Sequence, residues 1–512
     1  MSSLLLFDLV KSMTMSEKRY FKINSLKHVI GESNDYIHLF NAIEKQNKYN
    51  EKALLKCNFV KNLSQEKNYL YRLILKSLNA YHSDLNAKSR VLSLLHQIEV
   101  LYHKGLYNQA LKLVKKAKKI TKEHELFSHE LIVNEINTEL MSKQLQYPMA
   151  VKTIDDSERL IKIIENFNKV HGITMECYDV GVKMGTIRSE SEIKQIKKFI
   201  TIQEIYNDHL LLSSRAKMHK ISLLISYYYL MNDKNNMLVY TKKLTNHYQE
   251  NPYLIEYSTI GYIFSLASLV KAYIQNEQKG NALEVLSTLE SAKNKYGIPN
   301  SPKTGARLFF YSFNIRLEMF LNEIAFKKCL DFIDENKKDF QKFKGQIEKS
   351  FLYESYFSLA KLYFFNGDFK KALHFTNAII NDVSFKIRND LNSAIRLLNL
   401  LIQYELNKDF TIDYLTQNTL NYLNKRKRLY KVEGLIINFI KSLKKVKSED
   451  VLNKDFLKLR ERIREYKKDR YELSPILRFD FEYWVLSKIK NTNVSGLSKK
   501  DFESVLAINP IE

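Results

Sequence analysis

The sequence predicts an all-α fold, an α-solenoid of antiparallel helix pairs, and three observations lead to it. An aromatic residue recurs at Tyr228, Tyr273, Phe320, Tyr363 and Tyr404, at separations of 45, 47, 43 and 41 residues, each time closing an apolar stripe of helical period. A regular spacing of this length marks stacked helix pairs, because one pair can bury its apolar face only against a neighbour. Only 13 Gly and 6 Pro occur in 512 residues, so turns are few and helices long. With 45% hydrophobic and 27% charged residues the chain can fold, and a modular core avoids the very large single core that this length would otherwise need.

Residues 1–90 read as an N-terminal helical region. Thr14-Met15-Ser16-Glu17 has the spacing of a capping box ahead of a helix through Phe21. Tyr36, Leu39, Phe40 and Ile43 mark a second helix, and Glu51 to Cys57 a short third. A fourth begins near Ser64, with an apolar stripe of Leu70, Leu73, Ile74 and Tyr81 opposite a polar one of Gln65, Asn68, Arg72 and Lys76. This stretch caps the repeats, or it resembles a helix-turn-helix reader whose Gln65, Asn68, Arg72 and Lys76 would face nucleic acid.

Residues 91–425 hold the repeats. In residues 353–386, Tyr356, Leu359, Ala360 and Tyr363 share a stripe, Asn366-Gly367-Asp368-Phe369 turns the chain, and Ala372, Leu373 and Thr376 open a second helix. Gly367 suits the left-handed residue that ends a helix, and Ala372 is small enough for close helix approach. Gly105-Leu106-Tyr107-Asn108-Gln109-Ala110, followed by Ala117, repeats the pattern. These residues resemble the tetratricopeptide (TPR) repeat, although the period exceeds its 34 residues and its early Trp is absent. The resemblance implies a protein or peptide partner held on first-helix residues off the packing stripe, here Lys271, Glu318, Phe357, Lys361 and Phe364. Turns are expected near Gly105, Asn232, Lys279, Ile324, Gly367 and Lys408, with roughly ten helix pairs in all. Residues 125–215 are helical by periodicity but not phased.

Residues 426–512 form a basic helical region and a terminal cap. Between 422 and 470 there are 17 Lys or Arg against 7 Asp or Glu, and Leu477, Phe481, Trp484, Val485 and Ile489 make an apolar stripe on a last helix.

Composition and motifs narrow the function classes. Cys57, Cys177 and Cys329 are far apart, which argues against a disulfide framework or a zinc site. The N-terminus lacks a signal-peptide pattern and Ile221 to Met231 is too short an apolar run to span a bilayer, so a cytoplasmic protein without membrane insertion is expected. His124 and His129 lie five apart, roughly 140° around a helix, where a zincin needs four. No phosphate-loop, dinucleotide or nucleophile-elbow motif is present, and Gly181-Val-Lys-Met-Gly185 reads as a close helix contact. The expected function is a non-enzymatic interaction scaffold without cofactor or metal. The alternative, given a net charge of +24, is a nucleic-acid-binding regulator.

Overall fold

The computed structural model describes residues 3–26, 35–295, 302–382, 389–406, 409–443 and 448–506. Among them the secondary structure is helical throughout, without a strand. The chain divides into two compact units, Met1–Ile164 and Glu165–Glu512.

The first unit opens with helices Ser3–Ser12, Met15–Leu26, Asp35–Lys45, Glu51–Leu55 and Leu63–Tyr81, packed around Leu6, Val10, Phe21, Phe40, Ile43, Leu70 and Ile74. The capping box forms in both directions: the Thr14 N–H donates to Glu17 Oε2 at 2.6 Å and the Glu17 N–H to Thr14 Oγ1 at 3.3 Å. Tyr81, assigned to the apolar stripe, is instead 39% exposed because the helix reaches its C-terminal end there.

Helical pairing then follows a regular plan. Ala87–His103 packs against Tyr107–Glu123, Ser214–Leu230 against Lys234–Glu250, and Thr259–Gln275 against Lys279–Lys295. Pro302–Asn322 pairs with Phe326–Phe343, Lys349–Phe365 with Phe369–Ile380, and Asn389–Glu405 with Asp409–Lys425. Phe127–Lys143 faces the first part of Tyr147–Met184 through Asn137 and Thr153. That makes seven pairs among the described residues rather than ten, since Tyr147–Met184 runs 38 residues unbroken and the C-terminal helices pack as a cluster.

The recurring aromatic has a backbone meaning. The carbonyls of Tyr228, Tyr273, Phe320 and Tyr363 each accept the N–H five residues on, at Asp233, Gln278, Ala325 and Asp368, all at 2.9 Å. This is the six-to-one bond of a Schellman turn, and the residue it encloses has positive φ: Asn232 (57°), Glu277 (59°), Ile324 (61°) and Gly367 (80°). The expected turns near Gly105, Asn232, Ile324 and Gly367 therefore fall where placed, the one near Lys279 centres on Glu277, and Lys408 lies outside the described residues. Glu125 and Leu145 adopt the same conformation, which phases the first part of the stretch 125–215 that periodicity left open, up to the start of Tyr147–Met184. Gly367 takes its φ of 80° without strain, and a Cβ there would lie 2.6 Å from Asn493 Nδ2, so the Asn493 side chain would have to move to admit one.

Ala372 is fully buried, and the half-buried Tyr363 ring stacks on Phe375 with centroids 5.9 Å apart. Ala372→Leu is expected to overpack this site and lower stability by roughly 1 to 3 kcal/mol. Tyr363→Ala, losing a ring that is only partly buried, should cost about 2 to 3 kcal/mol. Urea unfolding followed by circular dichroism measures both, and a neutral Ala372→Leu would contradict the register.

The last segment is tied into the second unit by buried charge. Glu482, fully buried at the start of Phe481–Ile489, accepts Arg460 Nε at 2.8 Å, Arg464 Nε at 2.7 Å and Lys467 Nζ at 3.0 Å. Arg428 pairs with Glu192 at 3.1 Å and Arg188 with Glu433 at 2.8 Å. Arg428, Arg460, Arg464 and Lys467 of the basic segment are thus paired with acids outside it. Trp484 and Val485 are buried as expected of a cap, whereas Leu477 points to solvent at 55% exposure, because Leu473–Arg478 ends there and the chain turns before the next helix.

Candidate functional site

Helix Lys349–Phe365 places Glu354, Phe357, Lys361 and Phe364 at i, i+3, i+7 and i+10, which puts them on one face. Helix Pro302–Asn322 alongside it supplies Glu318. The chain between Leu473–Arg478 and Phe481–Ile489 folds over this face. Phe479 meets Phe364 edge-on at 5.6 Å and Phe365 at 5.5 Å. Arg478 sets its guanidinium 5.8 Å from the Phe357 ring and pairs with Glu354 at 2.8 Å and Asp390 at 3.3 Å.

This corrects two of the nominated residues. Phe357 and Phe364 are 4% and 2% exposed, so they are core rather than groove. The physical reason is that the chain's own C-terminal segment buries both rings. Sequence reasoning also missed Glu354, Arg478 and Asp480; the signal was Arg478-Phe479-Asp480, a charged and aromatic tripeptide between two apolar helices.

Lys361 and Glu318 remain half-buried in this charged recess. Burial holds the Lys361 ammonium below the usual lysine range, with Glu318 the strongest opposing influence, Arg478 adding to the depression, and Asp480 and Glu354 resisting it. Asp480 is pushed up by burial against the pull of Lys467, 3.0 Å away, and of the Glu482 N–H that it accepts at 3.0 Å. Arg478 is committed to the carboxylates of Glu354 and Asp390. Lys271, half-buried on Thr259–Gln275, is joined to them by no hydrogen bond or ion pair among the described residues.

Nearby, Met184, Arg188, Asp390, Glu433, Arg478 and Phe481 border a cavity of about 20 Å³. That is room for about one water and not for an organic ligand.

On the first unit, Gln65, Arg72 and Lys76 are exposed on Leu63–Tyr81 and Asn68 is half-buried. Tyr69, 51% exposed, lies on the same side.

The remaining sequence motifs resolve structurally. A turn at Glu125 puts His124 at the end of Tyr107–Glu123 and His129 on the following helix. A Cβ on Gly181 would come within 3.1 Å of Leu230 Cδ1, the close helix contact expected of it. The Cys177 and Cys329 thiols are buried and pushed up to about 11 and about 12 by that burial, so neither is a nucleophile at neutral pH. Among the described residues no group of three His, Cys, Asp or Glu could hold a metal ion, and no helix is long and apolar enough to cross a membrane. No family model matches the chain, and neither curated proteins nor solved structures give a significant match.

Proposed function

We propose that the protein is a non-enzymatic, cytoplasmic interaction scaffold whose TPR-like helix pairs hold a protein or peptide partner. The observation that supports it is the repeated pair geometry, in which the same left-handed turn follows an aromatic, Tyr or Phe, at each step from Tyr228 to Tyr363. Such arrays present side chains of successive first helices on one surface. Glu318 and Lys361, on consecutive first helices, are the pair through which a charged segment is held, with Lys271 a further contact. The test is capture from native lysate, with and without nuclease, by the wild type and by Glu318→Lys with Lys361→Glu. A partner retained after nuclease and lost in the charge-reversed variant supports the reading; indifference to both charges removes this site.

A nucleic-acid-binding regulator is the second reading, favoured by the exposure of Gln65, Arg72 and Lys76 beside Tyr69 on one helix, with Asn68 half-buried between them. Phosphate-driven binding would weaken with log salt at a slope near −0.9 per phosphate, and Arg72→Ala with Lys76→Ala would flatten it by about two units. Tight binding abolished by that double change would place this reading first.

A further inference from the structure

Helix Tyr147–Met184 is turned inside out over its first four turns. Its polar residues face inward: Asn137 Nδ2 donates to Thr153 Oγ1 and Asn134 Nδ2 to Ser157 Oγ, both at 3.1 Å, and Lys118 pairs with Asp156 at 3.1 Å. Ala150 and Leu160 are buried with them, but most of its larger apolar residues in these turns face water. Tyr147, Val151, Ile154 and Ile161 fall at i, i+4, i+7 and i+14 on one stripe and are 56%, 57%, 48% and 46% exposed. Single exposed apolar side chains are ordinary; a stripe of four on one helix, with hydrogen-bonded polar residues beneath it, marks a contact surface.

Beside the stripe, Leu131, Glu135, Thr138 and Glu139 of Phe127–Lys143 join Ile154 and Ser157 to line an open groove of about 340 Å³. Glu135 and Glu139 are exposed on its wall, and Glu158 is exposed on the stripe itself. None of the three enters an ion pair among the described residues, and no Lys or Arg lines the groove. A locally acidic, apolar-floored groove in a chain of net charge +24 is a departure from the rest of the molecule.

We propose that this groove and the stripe beside it dock a basic amphipathic helix of a partner protein, its apolar residues at i, i+4 and i+7 on Leu131 and Ile154 of the groove and Val151 of the stripe and its Lys or Arg residues against Glu135, Glu139 and Glu158. From Tyr147 to Ile161 the stripe is about 21 Å long, which matches a helix of about four turns. Nucleic acid is disfavoured by the three carboxylates. The inference rests on the scaffold reading only in taking a protein as the partner.

The probe is a fluorescein-labelled Leu/Lys amphipathic peptide of about 18 residues, long enough to cover the stripe, with the same peptide carrying Glu for Lys as comparator. The overall charge of the protein favours the acidic peptide, so preference for the basic one can come only from a local surface. Anisotropy is expected to show binding of the basic peptide with micromolar affinity and at least a tenfold loss in both Glu135→Lys with Glu139→Lys and in Ile154→Asp. Both variants change exposed side chains, and an unchanged helical spectrum and melting transition confirm that they fold. Preference for the acidic peptide, affinity unaffected by the substitutions, or no binding at roughly 100 μM overturns the proposal. So does a wild-type dimer in sedimentation that Ile154→Asp dissociates, which assigns the stripe to a second copy of the chain. Failure here together with lysate capture that still depends on Glu318 and Lys361 leaves the scaffold reading standing, so the two can fail separately.

Discussion

Arg188→Ala is expected to lower stability by roughly 3 to 5 kcal/mol, among the largest single-residue losses in the protein. Arg188 Nη1 donates to Glu433 Oε1 at 2.8 Å, and Nη2 to Glu433 Oε2 at 3.0 Å and to Glu472 Oε2 at 3.1 Å. Its guanidinium also lies 4.1 Å from the Tyr430 ring centroid. The three charged side chains are 4%, 2% and 3% exposed, so removing the cation leaves two buried carboxylates without their counter-charge. Glu472 further accepts the N–H groups of Lys431 and Val432 at 3.2 and 3.0 Å and so anchors the start of Lys431–Ser442. Arg188→Lys should recover little, because an ammonium cannot bond both Glu433 oxygens in the planar fork. Removing Arg188 together with one of its two carboxylates, as Arg188→Met with Glu433→Leu, should cost less than Arg188→Ala alone, since only Glu472 is then left without the cation. Urea midpoints measure all three, and a midpoint for Arg188→Ala equal to wild type would mean that the pair is solvated.

Acid should destabilise the second unit well before its carboxylates titrate. His219 stacks on His171 with ring centroids 4.2 Å apart, and Phe167 lies 5.6 Å from it. Burial, reinforced by His171 and Arg215, pulls the His219 imidazole down to about 3 from an ordinary 6.5, and His171 is depressed by burial and Arg215. A base with a depressed folded-state pKa is protonated more readily in the unfolded chain. Its contribution is therefore fully present above pH 6.5 and is lost as the pH falls toward 3. With His219 partly exposed, the loss should reach roughly 2 to 4 kcal/mol. Urea midpoints from pH 7 to pH 4 are expected to fall in the wild type and to fall less in His219→Phe, which keeps a ring against His171 and Phe167. Equal slopes in the two proteins would show that His219 is not the sensor.

The turns were legible because their chemistry is local. A helix that carries an aromatic two residues before its end and then needs one left-handed residue leaves its mark within six positions, as from Tyr363 to Asp368. The capping box at Thr14 and Glu17 was readable for the same reason, as was the small residue at Ala372. On the nominated face Glu318 and Lys361 are half-buried, while Phe357 and Phe364 are covered by residues more than a hundred positions further along the chain, which no local pattern could announce.

Helical class, pair-by-pair turns and the small residue at Ala372 followed from the sequence by itself, because period, capping and turn geometry depend on neighbours within a few residues. Tertiary structure alone decided what lies over those helices. Arg188 reaches Glu433 across 245 positions and Arg478 reaches Glu354 across 124, and such pairings leave no periodic trace in the chain. The same holds for the outward apolar stripe from Tyr147 to Ile161. A stripe marks which face of a helix is apolar; whether the protein or water meets that face depends on how the neighbouring helices pack, and here Thr153 and Ser157 pair with Asn137 and Asn134 on the inner side.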